Sequence, residues 1–161
     1  MITTAQRATM LHLMDFLIVH RGQVHYPAGD VRRERVGTIA HPSDIYARVG
    51  RAQGWTVDCS QMAEAILRAV GVHLPFRDGF TGSFLEHLPH YADGRGAYIG
   101  GPVVFGPGTG HHMALVHTRD PKHGNPLLFS HGQEADPRLI FLAQEAAYQP
   151  HPVTFCSIAK L

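Results

Sequence analysis

The sequence predicts an α+β domain, with N-terminal helices, one of them starting at a cysteine, packed on an antiparallel β-sheet. Three observations carry that prediction. Apolar residues of the first half recur at helical spacing, as in Met62, Ala63, Ile66, Leu67 and Val70. The second half holds short apolar runs at 103–105, 112–116, 127–129 and 153–158, separated by clusters of Gly, Pro, Asn and Asp. Helices grouped before strands argue for segregated layers, not for alternating βαβ units.

Taken in order, residues 5–19 carry Met10, Leu11, Leu13, Met14, Leu17 and Ile18 behind Thr3 and Thr4, either of which can cap a helix. His12 and Asp15 interrupt the apolar face, so this is an amphipathic helix and not a signal peptide, and no later run is long enough to cross a membrane. Residues 21–54 contain Pro27, Gly29, Gly37, Pro42, Gly50 and Gly54 and read as a long irregular connection with one helical turn at 44–49. A connection of that length in a compact domain is usually functional. A helix at 59–70 follows, capped by Asp58 and stopped at Gly71. A loop at 71–82 leads to a short helix at 83–88, ended by Pro89. Residues 139–148 fit both a strand and a short helix and are divided between them.

The 161 residues, 44% of them hydrophobic, suit one domain with a substantial core and no dividing linker. The net charge of +1 and a single arginine cluster, Arg32, Arg33 and Arg35, without interleaved aromatics, argue against a nucleic-acid partner. Thirteen histidines make the charge, and with it the expected activity, depend on pH near 6.5. Cys59 and Cys156 are expected as free thiols, Cys156 buried in a strand.

The chemistry centres on Cys59. In the first turn of a helix, unpaired N–H groups and the positive end of the helix dipole favour thiolate over thiol. A nucleophilic cysteine needs a histidine to accept its proton and a polar group to orient that histidine. The turn Gly106-Pro107-Gly108-Thr109-Gly110 delivers His111 and His112 to a strand start, where the two side chains point to opposite faces. His112, on the face of Ala114 and Val116, is expected to approach the Cys59 helix and act as the base. His131, at the end of the next run, is expected to lie beside His112 and orient it. Gln133 and Glu134 are alternative orienting groups, whereas His111, His117 and His123 are expected to have ordinary structural uses. The Cys59 backbone N–H is a natural oxyanion donor.

Asp58-Cys59-Ser60-Gln61 before a helix, Val103-Val104-Phe105-Gly106 leading to His112-Met113-Ala114-Leu115-Val116, and Phe129-Ser130-His131 together resemble the NlpC-type cell-wall peptidases, a papain-like superfamily. The resemblance spans about residues 24–161. Val24-His25-Tyr26 and Gly79-Phe80-Thr81-Gly82-Ser83-Phe84-Leu85 further resemble endolysins of phages that infect actinobacteria. The resemblance implies a cysteine peptidase cutting an amide bond of the peptidoglycan stem peptide, with Cys59, His112 and His131 in the three roles above and no cofactor. It implies a substrate-binding role for Tyr26 and Asp58, with Ser60 beside them, although Tyr46 suits the tyrosine role equally by distance from Cys59, and Asp58 serves first as a helix cap. Gln61 stands where the family usually has Gly and is expected to narrow the cleft. A monomer is expected, the enzymatic part of a lysin, held in the infected host's cytoplasm until its release to the wall or carried in a virion.

Three other functions use the same residues. Cys59, His111, His112 and His131 are all acceptable zinc ligands, but adjacent strand histidines diverge and no second ligand lies near Cys59 in sequence, so no metal is expected. A non-catalytic wall-binding or virion structural module could share the fold. An acyltransferase would differ only in what resolves the thioester.

Overall fold

The computed structural model describes residues 1–28, 34–94, 97–118, 125–133, 135–159 and 161. Gly29, Arg32, Arg33, His123 and Glu134 lie outside these residues.

Helix α1, Thr4–Val19, opens with a reciprocal cap: Thr3 Oγ1 accepts from the Gln6 N–H at 3.1 Å and the Gln6 side chain accepts from the Thr3 N–H at 2.9 Å. Such a cap contributes about 1 kcal/mol. Met10, Leu13, Met14 and Leu17 form its buried stripe. The following stretch is more ordered than its composition predicts. A 3-10 turn at Arg21–Gln23 leads into strand β1, Val24–His25, which pairs in parallel with β2, Trp55–Thr56. Between them α2, Pro42–Val49, starts on Pro42, whose missing N–H costs nothing at a helix start, and Asp44 accepts from the N–H groups of Ala40 and His41.

Helix α3, Cys59–Ala69, is buried at every residue except Arg68 and ends where Gly71 takes a φ of +79°. A helix buried nearly all round needs its charges paired. Glu64, fully buried, accepts from Arg68 at 2.6 Å and from the Gly79 N–H at 2.7 Å. Helix α4, Thr81–His87, begins two residues before the predicted start.

The main sheet is six-stranded and antiparallel, in the order β3-β8-β4-β5-β6-β7. Its strands are β3 (His90–Tyr91), β4 (Pro102–Phe105), β5 (His112–Thr118), β6 (Leu127–Gly132), β7 (Ala135–Phe141) and β8 (Val153–Cys156). Strand β7 begins at Ala135, four residues before the segment that the sequence divides between strand and helix, and it includes Pro137. Pro is tolerated there because β7 is an edge strand. The divided segment resolves at Phe141, where β7 ends and α5, Leu142–Tyr148, begins.

The sheet separates two cores. Val104, Met113, Leu115 and Phe129 face α1 and α3 in the larger one, which also takes in α4 through Phe84. Val103, Phe105, Ala114, Val116 and Leu128 face the other way, where Leu142 and Ala146 of α5 cover them. His117 Nε2 meets Asp15 Oδ1 at 2.8 Å, tying α1 to β5. Among the described residues no helix is long and apolar enough to cross a membrane.

Candidate active site

Cys59 occupies the first position of α3 and is 7% exposed. N–H groups in a first helical turn have no intrahelical acceptor. Asp58 caps the turn: its carboxylate accepts from the Gln61 N–H at 2.8 Å and from Ser60 Oγ at 3.0 Å. Ser60 Oγ also lies 2.7 Å from the Gly79 carbonyl. The Ser60 hydroxyl is thus buried and engaged in tying the loop before α4 to the turn that carries Cys59. Gln61 is engaged as well: Oε1 accepts from the Asp58 N–H at 3.2 Å and Nε2 donates to the Glu34 carbonyl at 2.8 Å. It does not narrow a cleft beside Cys59, since it reaches back into the connection before α2.

His112, the first residue of β5, has the Cys59 side chain close enough to its ring to raise its pKa. Its Nε2 lies 3.0 Å from Glu145 Oε1 and 3.0 Å from Ser130 Oγ, which leaves Nδ1 for the thiol. Ser130 in turn donates to Glu145 Oε1 at 3.1 Å. Burial opposes charging the His112 ring, but the hydrogen bonds and negative charges of Cys59 and Glu145 outweigh it, raising its pKa to about 9. Burial likewise opposes ionising Glu145. The contact with His112, the Ser130 hydroxyl and the Arg138 charge prevail and hold its carboxyl below the usual range. Arg138 reaches Glu145 Oε2 at 3.2 Å and Gln149 donates to Oε1 at 3.2 Å, so this fully buried carboxylate has four side-chain donors.

The route by which His112 meets Cys59 differs from the prediction. His112 does share a face with Ala114 and Val116, but that face looks toward α5, and the residues facing α3 are Met113 and Leu115. His112 reaches the thiol because it stands at the end of its strand, where the N-terminus of α3 arrives. His131 does not orient it. With Ala114 opposite Ser130, Met113 falls opposite His131, so period-two alternation places His131 on the α3 face and away from His112. Its Nε2 donates to the Val57 carbonyl at 2.8 Å. The orienting contact belongs to Glu145, which the sequence reading missed. A signal existed: Leu142, Glu145 and Ala146 recur at helical spacing, which puts the Glu145 carboxylate beside apolar residues on one helix face.

Of the two tyrosines, Tyr26 lies at the site, its ring centroid 5.4 Å from that of His131, whereas Tyr46 packs on Phe16 at 4.6 Å. His111 is exposed. Among the described residues no group of three or more His, Cys, Asp or Glu side chains is placed to hold a metal ion. Cys59 and His131 border a common cavity of about 10 Å³, room for one water at most. A larger groove of about 460 Å³ opens where β4 gives way to the turn before His112, between Phe80 and Leu85 on one side and Pro107, Thr109 and Pro152 on the other. Cys156, fully buried on β8, is a different kind of thiol: burial pushes its pKa up to about 12. No family model, curated protein or solved structure matches this chain.

Proposed function

We propose that this chain is a cysteine peptidase that cuts an amide bond in the stem peptide of peptidoglycan, on a papain-like arrangement of helix and sheet. The observation that carries the reading is the relay Cys59–His112–Glu145: a thiol at a helix start, a histidine beside it, and a buried carboxylate on the opposite ring nitrogen. In the reaction the thiol proton rests on His112, whose raised pKa keeps the ring charged near neutral pH, and the Cys59 sulfur attacks the amide carbonyl carbon. The Cys59 N–H stabilises the oxyanion, His112 protonates the leaving amine, and water activated by His112 hydrolyses the thioester. Glu145 keeps the ring oriented and balances its charge. The groove along residues 106–109, which Cys59, His112 and Glu145 do not line, would take the part of an extended peptide away from the scissile bond. The choice of wall peptide as substrate rests on the cell-wall peptidase motifs around Cys59, His112 and His131, and the packing of Tyr26 on His131 supports Tyr26 over Tyr46 as the tyrosine that meets it. Asp58 accepts the cap hydrogen bonds on Oδ1, so a role toward a substrate amine would fall to its other oxygen, together with Tyr26.

The test is digestion of purified peptidoglycan, with released fragments read by mass spectrometry. The wild-type protein should release peptides with new amino and carboxyl ends, and Cys59→Ala should lower that release by roughly 10³-fold or more while keeping its fold. Undiminished release by Cys59→Ala would overturn the reading.

A further inference from the structure

We infer that His131 is a positioning residue that fixes the nucleophile against its base, and that it does so from the same strand that fixes the base. The inference rests on the thiol-peptidase reading and adds to it a residue that touches neither substrate nor the reacting atoms. Ser130 and His131 are neighbours on β6 and point to opposite faces of the sheet. On one face Ser130 Oγ holds the His112 ring at 3.0 Å and Glu145 at 3.1 Å. On the other, His131 Nε2 holds the Val57 carbonyl at 2.8 Å, two residues before Cys59. One rigid strand therefore sets both members of the catalytic pair.

The chemistry of the contact assigns its proton. A carbonyl only accepts, so Nε2 carries the hydrogen and the neutral ring leaves Nδ1 as an acceptor. Nδ1 is buried and has no well-aligned hydrogen-bond partner among the described residues, and His131 is only 2% exposed. Burial lowers the pKa of His131, the sense that keeps this donor neutral. Val57 is held from its other side too, its N–H donating to the His25 carbonyl at 2.9 Å. With both peptide groups of Val57 fixed, Asp58 and Cys59 enter α3 along one path, and the pair is held in reacting geometry before substrate arrives. A misplacement of about 1 Å at such a pair costs on the order of 10²-fold in rate.

Three variants test this on the intact chain. His131→Gln keeps an N–H donor of similar reach, His131→Asn is one methylene too short, and His131→Phe keeps the ring shape without the donor. Expected are near wild-type kcat for His131→Gln, within about threefold, and a kcat about 100-fold lower with KM unchanged for the other two. The pH–rate profile of Cys59 alkylation by iodoacetamide needs no peptide substrate, and it should match wild type in the Gln variant and move in the Asn and Phe variants. If His131→Phe does not fold, the comparison of Gln with Asn still decides. Wild-type kcat and alkylation profile in folded His131→Asn or His131→Phe overturns the positioning role while leaving the peptidase reading intact. Failure of that reading would show separately, as undiminished wall cleavage by Cys59→Ala.

Discussion

Glu145 Oε1 lies 3.0 Å from His112 Nε2, and the carboxylate that provides it has no exposed surface. A buried charge of this kind is costly unless paired, and pairing it with the ring beside Cys59 turns that cost into orientation of the base. Glu145→Gln keeps the size of the side chain and an acceptor for Nε2 but removes the charge. Its kcat for wall cleavage should fall on the order of 10²-fold, measured by release of soluble peptide from peptidoglycan. His111→Ala should stay within a few-fold of wild type and His112→Ala should be inactive. A dead His111→Ala beside an active His112→Ala would mean that the register of β5 is shifted by one residue.

The pH dependence follows from the raised pKa of His112. Its ordinary value is 6.5 and its folded value about 9, so the stability it contributes is complete below about 6.5 and is lost as pH rises through about 9. The charged ring is needed to protonate the leaving amine, so kcat/KM should fall on a basic limb near pH 9. Removing the carboxylate charge in Glu145→Gln should move that limb toward 6.5. A basic limb at the same pH in both proteins would contradict the assignment. Glu145 acts at the acid end with the opposite sign: its folded pKa lies below the ordinary 4.5, so its contribution is present above that value and lost as pH falls through the folded one.

The two thiols should separate under alkylation. Cys59 lies beside His112 at a helix start, while Cys156 is fully buried with its pKa pushed up to about 12. Limiting iodoacetamide at pH 7 should label Cys59 first, read by peptide mass spectrometry, and activity should fall in step with that label. Activity lost with label on Cys156 alone would contradict the site.

Gly79 should tolerate no side chain. Its φ is +59°, a Cβ there would lie 2.5 Å from Gln61 Cγ, and its carbonyl and N–H anchor Ser60 and Glu64. Gly79→Ala should destabilise the fold by about 1–3 kcal/mol in urea titration. Ser60→Ala, which removes only the tie to Gly79 and Asp58, should cost about 1 kcal/mol and leave KM unchanged, whereas a substrate contact at Ser60 would raise KM.

Much of the molecule was legible locally. Apolar spacing, a cap at Thr3 or Thr4 and the Asp58 cap located α1 and α3, because a helix is specified by contacts within a few residues. The strands β4, β5, β6 and β8 announced themselves as apolar runs between turns, and the position of Cys59 at a helix start needed no tertiary information. The short pair β1–β2 was illegible because two-residue strands have no periodicity to read, and β7 was obscured by Pro137, which only its place at the sheet edge makes tolerable.

What the tertiary structure alone decided is the partner of His112. Ser130 and His131 are equally polar and adjacent, and which of them faces the base depends on strand register, where a shift of one residue exchanges the two faces. The pairing of Ala114 with Ser130 turned His131 toward Val57 and left Nε2 of His112 to a carboxylate brought in from α5. A contact between a strand start and a helix that follows two further strands leaves no mark in local sequence. It exists because Glu145, on the buried side of α5, is costly to bury without donors, and His112 supplies one on Oε1 while Arg138 supplies another on Oε2.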